Sequence, residues 1–147
     1  LLEKLYLALG MDREQYLNQI ADGFLLSVDV AHGLHPNSPE KADLTNQPVL
    51  NGGVVLKIAA SQSYANDCEA VAVVKELCRN RGIPCQLYVN RSDMRGGSTL
   101  GSLLSSWLPM RTMDIGVPLL AMHSARELMG VKDQAYLEQL LEAFLIL

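Results

Sequence analysis

Apolar positions along this chain fall alternately into helical and strand spacing. In residues 2–21, Leu2, Leu5, Leu9, Tyr16, Leu17 and Ile20 follow a helical period that Gly10 divides, so two helices are expected, with Asp12 as N-cap of the second. Residues 24–31 form a short apolar run that reads as a strand buried on both faces. Residues 33–53 hold Pro36, Pro39, Pro48 and Gly52-Gly53 among polar residues, the composition of a long loop. Val54–Ala59 reads as a second strand. Asn66 or Asp67 then caps a helix to about Arg81, with Ala70, Val73, Val74 and Leu77 facing inward and Gly82 ending it. Cys85–Val89 is a third strand, Asp93–Ser98 a Gly-rich turn and Thr99–Trp107 a short helix. Arg111–Ile115 and Leu119–Met122 read as two further strands, and Asp133–Leu145 as a closing helix. Strands alternating with helices predict an α/β domain, a sheet with helices on both faces.

Composition narrows the function classes. At 147 residues, with 49% hydrophobic and 19% charged positions, the chain can build one real core and is not a disordered segment. A net charge of −4 without a Lys/Arg stripe argues against a nucleic-acid partner. No apolar run reaches membrane-spanning length, and no signal peptide opens the chain. Cys68, Cys78 and Cys85 lack zinc-knuckle or CxxC spacing, so buried, reduced cysteines in a cytoplasmic protein are expected. The first residue is Leu rather than Met, as expected of a piece of a longer protein.

Candidate chemistry collects where strands end. Asp29 lies inside an apolar run, where an ionised carboxylate is costly unless a cation compensates it. His32 and His35 follow it, Lys57 comes late in the second strand, Gly96-Gly97-Ser98-Thr99 follows the third, and His123 follows the last. Ligands of open α/β sheets gather beyond the carboxyl ends of the strands, so these residues are expected to converge. Each has a plain structural alternative. Asp29 could be a buried acid paired with an arginine, His32 and His35 solvated turn residues, and Lys57 a snorkelling surface cation. The glycines suit an anion-binding turn but lack the Walker lysine and could be a plain tight turn, while His123 and Arg126 could be a helix-start histidine and a salt-bridging arginine.

Several blocks in order reach further. Ser27-Val-Asp-Val-Ala-His-Gly-Leu-His-Pro-Asn37, Gly53-Val-Val-Leu-Lys57 and Ser63-Tyr-Ala65 resemble segments of the M18 metallopeptidases, the aspartyl aminopeptidase family. Asp93, Gly97-Ser-Thr-Leu-Gly101, Thr112-Met-Asp-Ile-Gly-Val-Pro118 and Met122-His-Ser-Ala-Arg-Glu127 continue the likeness, which runs from about residue 22 to 145. By that resemblance the chain is the C-terminal part of a zinc-peptidase catalytic domain. Asp29 is then a ligand of one ion in a two-zinc centre and His123 a ligand of the other. His32, Lys57, Tyr64, Gly97 and Ser98 would line the substrate pocket, with Lys57 set for an acidic side chain. His35, Pro36 and Asn37 would support the turn, and Arg126 and Glu127 would pair behind His123.

The resemblance implies removal of an N-terminal residue, preferably Asp or Glu, from peptides by a water activated between two zinc ions. The family also needs an upstream histidine, a bridging aspartate, a metal-binding glutamate and a general-base glutamate, and no block of this chain carries their pattern. No catalytic residue is therefore expected within the chain. By the same resemblance the family's oligomer-building domain is not expected within these residues, and the chain has Gly101-Ser102 where relatives usually have Gly-Pro. The piece alone is expected to be inactive, to bind metal weakly and to self-associate through uncovered apolar surface. The alternatives are a non-catalytic assembly or peptide-binding module that keeps the fold, and a degenerate paralogue.

Overall fold

In a computed structural model, which describes residues 1–94 and 96–147, a mixed sheet carries helices on both faces. The strands are β1 (Phe24–His32), β2 (Val54–Ile58), β3 (Cys85–Val89), β4 (Arg111–Leu120) and β5 (Leu128–Met129). Their order is β1-β4-β2-β3, with β5 hydrogen-bonded to β4. β1 runs parallel to β4 and β2 parallel to β3, but β2 meets β4 antiparallel, through Val55↔Gly116 and Leu56↔Ile115.

Each helix has a local cause. α1 (Leu2–Ala8) and α2 (Arg13–Asp22) are divided at Gly10, as predicted. Asp12 accepts from the Gln15 N–H while the Gln15 side chain accepts from the Asp12 N–H, a reciprocal cap worth about 1 kcal/mol. Asp67, not Asn66, caps α3 (Cys68–Arg81) by accepting from the Ala70 N–H at 2.7 Å, and Gly82 ends it in the left-handed conformation. α3 and α5 (Val131–Leu145) cover one sheet face. There Val54, Leu56, Met113 and Ile115 pack on Ala70, Val74, Leu77 and Leu140, and Phe144 meets Phe24 edge-on at 5.6 Å. α4 (Leu100–Ser105) lies on the other face near β1 and β4 and leaves Leu100, Leu103 and Trp107 in water.

Four expectations are corrected. β1 is not buried on both faces: it is an edge strand, half-buried for most of its length, with Val28 43% exposed. The two strands expected at 111–122 are one, because Pro118 lies beyond the two-residue ladder with β2 and the strand runs on without the missing N–H. Only Cys78 of the three cysteines is buried; Cys68 and Cys85 are exposed, and all are free. α5 begins at Val131, so Asp133 sits within its first turn and is fully buried. It accepts from the backbone N–H groups of Asn51 at 2.6 Å and Gly53 at 2.9 Å, tying the long loop to the helix.

Candidate active site

The antiparallel step changes how the site assembles. The carboxyl ends of β2 and β3 point opposite to those of β1 and β4, so the candidates cannot all meet at one end of the sheet. They meet instead on the face that carries α4. Asp29, His32, Lys57, Tyr64, Gly97, Ser98 and His123 together line one pocket of about 140 Å³. It shares His32, Tyr64, Tyr88, Gly97 and Met122 with a neighbouring hollow of about 420 Å³ that His35 and Lys41 also border.

Lys57 is the buried charge of this site. It is 3% exposed within β2, which rules out the snorkelling alternative, and its ammonium lies 3.3 Å from Asp29 Oδ2. The same nitrogen stands 5.4 Å from the centre of the Tyr64 ring, a cation–π contact. Asp29 itself is 52% exposed, so the premise of a deeply buried carboxylate fails. The edge position of β1 gives it water as well as Lys57. Its other oxygen has no hydrogen-bond partner among the described residues.

His32 ends β1 with its ring 6.1 Å from that of Tyr88. Burial, then the nearby His123 and the Lys57 charge, hold its pKa below the ordinary imidazole value, so it is neutral at pH 7 with an unprotonated ring nitrogen. Tyr64 and Tyr88 are buried with ring centres 6.1 Å apart. Burial raises both phenols, Tyr88 to about 12, so both keep their protons.

His123 comes just after β4 in a tight turn. Its φ is +67° and that of Ala121 +56°, left-handed values that cost a side-chain-bearing residue about 1 kcal/mol or more. The Glu127 carboxylate accepts the His123 N–H at 2.5 Å and holds the turn. The expected Arg126–Glu127 pair does not form: Glu127 binds backbone instead, and Arg126 is in no ion pair among the described residues. His35 accepts from the Asn37 N–H at 3.2 Å, the turn-supporting role expected of it.

Asp114, fully buried in β4, was not singled out from the sequence. It accepts from the Ala65 N–H at 2.5 Å and the Thr99 hydroxyl at 2.6 Å. Those residues are the immediate neighbours of Tyr64 and Ser98, so one carboxylate braces both loops that close the pocket. Its other oxygen has no hydrogen-bond partner among the described residues and faces Gly101, where a Cβ would come within 2.5 Å. The signal that flagged Asp29, a carboxylate within an apolar run, was equally present in Thr112-Met-Asp-Ile115.

The donors suit half of a zinc site. Asp29 supplies a carboxylate oxygen and His123 an imidazole on one pocket, but the described residues contain no group of three or more His, Cys, Asp or Glu able to hold an ion.

Comparison with known proteins decides the family. The model of the aminopeptidase I zinc metalloproteases (M18) matches residues 1–145. The chain belongs to the M18 family. It is 48% identical over 144 residues to a probable M18 family aminopeptidase 2 of Clostridium acetobutylicum, covering 98% of this chain and 33% of that protein. A probable M18 family aminopeptidase 2 of Pseudomonas savastanoi pv. phaseolicola is 44% identical over 144 residues, covering 98% of this chain and 34% of that protein. The cryo-EM structure of the Ape4 and Nbr1 complex superposes with a TM-score of 0.93 at 36% identity, covering 97% of this chain and 27% of that one. The S. cerevisiae mApe1 dodecamer gives a TM-score of 0.77 at 31% identity, covering 88% of this chain and 28% of that one. The M18 chain thus spans about a third of the length of the curated relatives it matches.

Proposed function

We propose that this chain is the C-terminal part of the catalytic domain of a zinc aminopeptidase that removes N-terminal residues, with preference for Asp or Glu. One observation carries the reading: in an M18 chain, Asp29, His123, Lys57 and Tyr64 line a single pocket. Asp29 and His123 would hold zinc, joined by ligands from elsewhere in the full-length protein. Bound zinc supplies Lewis-acid polarisation of the scissile carbonyl and a more acidic water. The chain's own residues then have distinct tasks. Lys57 has a desolvated ammonium that a substrate carboxylate can pair with, in a pocket where such a contact is stronger than in water. The Tyr64 ring flanks that ammonium and walls the pocket. Neutral His32 offers an uncharged ring to the substrate carbonyl, and Gly97 and Ser98 border it with exposed backbone.

The general base would come from outside these 147 residues. Two protein ligands hold zinc weakly, so the piece alone is inactive, and its open β1 edge and the exposed Leu100, Leu103 and Trp107 favour self-association. The test is hydrolysis of Asp-, Glu- and Leu-initiated peptides by the zinc-loaded full-length protein and by the isolated chain. Cleavage of acidic peptides by the full-length protein alone is expected. Equal rates on all three peptides would refute the acidic preference, and robust cleavage by the isolated chain would refute its incompleteness.

A further inference from the structure

Tyr88 borders the pocket and Asn90 the neighbouring hollow, and together they join the two. In register, Tyr88 of β3 stands beside Lys57 of β2. Its ring lies between those of His32 and Tyr64, 6.1 Å from each. Its hydroxyl donates to Asn90 Oδ1 at 2.8 Å, and Asn90 Nδ2 donates to the Met94 carbonyl at 3.2 Å. Gly96 then packs on the same amide so closely that a Cβ there would meet Nδ2 at 2.4 Å. The Met94 carbonyl can only accept, so it draws Nδ2 toward the loop, and the Tyr88 hydroxyl anchors Oδ1 at the other end of the amide. With its oxygen held by Tyr88, its nitrogen must point at Met94 and Gly96, next to the Gly97 and Ser98 that line the pocket.

We infer that Tyr88 and Asn90 act as a positioning strut that sets the distance between the Gly97-Ser98 backbone and the Lys57 ammonium, and so tunes selectivity for an acidic side chain. The inference rests on the aminopeptidase reading of the pocket. Without the hydroxyl, Oδ1 loses its anchor, the Asn90 amide can swing away from the Met94 carbonyl, and the loop is held less firmly. Tyr88→Phe keeps the ring between His32 and Tyr64, so it isolates this effect from packing.

Two measurements on the zinc-loaded full-length protein test it. In Tyr88→Phe and in Asn90→Ala, KM for an Asp-peptide should rise about five- to tenfold, the scale of one lost hydrogen bond, while kcat falls far less. The double variant should be no worse than Asn90→Ala alone, since both changes break one chain of contacts. In parallel, subtilisin nicking within residues 92–98, followed by mass spectrometry, should quicken about fivefold in both variants, the mark of a loosened loop. Unchanged nicking in Tyr88→Phe overturns the strut, and so do KM effects that multiply in the double variant. If the wild-type protein shows no acidic preference, the functional reading fails, while nicking still reports on the strut independently.

Discussion

Replacing Lys57 by Met separates recognition from folding. The ammonium is 3% exposed and lies 3.3 Å from Asp29 Oδ2, but the Asp29 side chain is 52% exposed. Losing the ion pair therefore leaves no stranded charge, because Asp29 falls back on water; the pair is worth no more than about 1 kcal/mol. Met has nearly the shape of the lysine stem and fits the apolar wall of Val55, Tyr64 and Tyr88, so it removes a desolvated charge without opening a cavity. The denaturation midpoint should hardly move. Recognition should change strongly. A charge-assisted hydrogen bond from a buried ammonium to a substrate carboxylate is worth about 1.5–3 kcal/mol, which is about 10- to 150-fold in kcat/KM. The assay is kcat/KM for Asp- and Leu-initiated peptides with the zinc-loaded full-length variant. The Asp value should fall by that factor, while the Leu value holds or rises once an unmatched cation is gone. Parallel loss on both peptides, or an Asp/Leu ratio within about threefold of wild type, would refute the assignment of Lys57 to the acidic side chain.

Asp114→Ala strands two buried donors, the Ala65 N–H and the Thr99 hydroxyl, and should cost about 3–4 kcal/mol in chemical denaturation, with Asp114→Asn about half as much. Asp133→Ala leaves the Asn51 and Gly53 N–H groups unpaired and should cost a similar amount, again read from the denaturation midpoint. Asp43, capped by Thr45 and Asn46, is held down to about 2, below the ordinary carboxylate near 4. Its contribution to stability is thus complete above pH about 4 and lost as pH falls through about 2; an NMR titration with an unshifted midpoint would contradict this. A hydrogen bond from Cys78, with help from Lys75, draws Cys85 down to about 6, while Cys78 is pushed up. Alkylation of Cys85 should be half-maximal near pH 6 and shift upward in Cys78→Ala, and an unmoved midpoint would discount the Cys78 contact.

Much of the fold was legible in the sequence because periodicity and caps are local. The split at Gly10, the caps at Asp12 and Asp67, the stop at Gly82 and the bounds of β3 all follow from residues within one turn of the feature. Strand direction is not local. Nothing in Val54–Ile58 says that β2 will meet β4 antiparallel, so the rule for carboxyl ends of parallel strands misplaced the meeting point while naming residues that do meet. Edge position is equally invisible. Phe24–Val30 is apolar enough for a central strand, yet it has β4 on one side only.

The two acids of the apolar runs show where that limit bites. Asp29 and Asp114 carry the same sequence signal and sit on the same face, two strand neighbours apart in register through Ser27↔Asp114 and Asp29↔Gly116. One reaches the edge, keeps water on one side and turns an oxygen to Lys57; the other is sealed under α4 and receives two donors from the loops. Asp114 receives both loop donors on Oδ2, which ties it to holding those loops in place. A carboxylate at the edge can exchange its partner for a cation or for water at little cost, which is what a ligand-binding group requires. Burial, not composition, thus divides the acid that stays open to a ligand from the one that braces the loops. Their combined effect is a pocket open to water at Asp29, with loops fixed from beneath by Asp114.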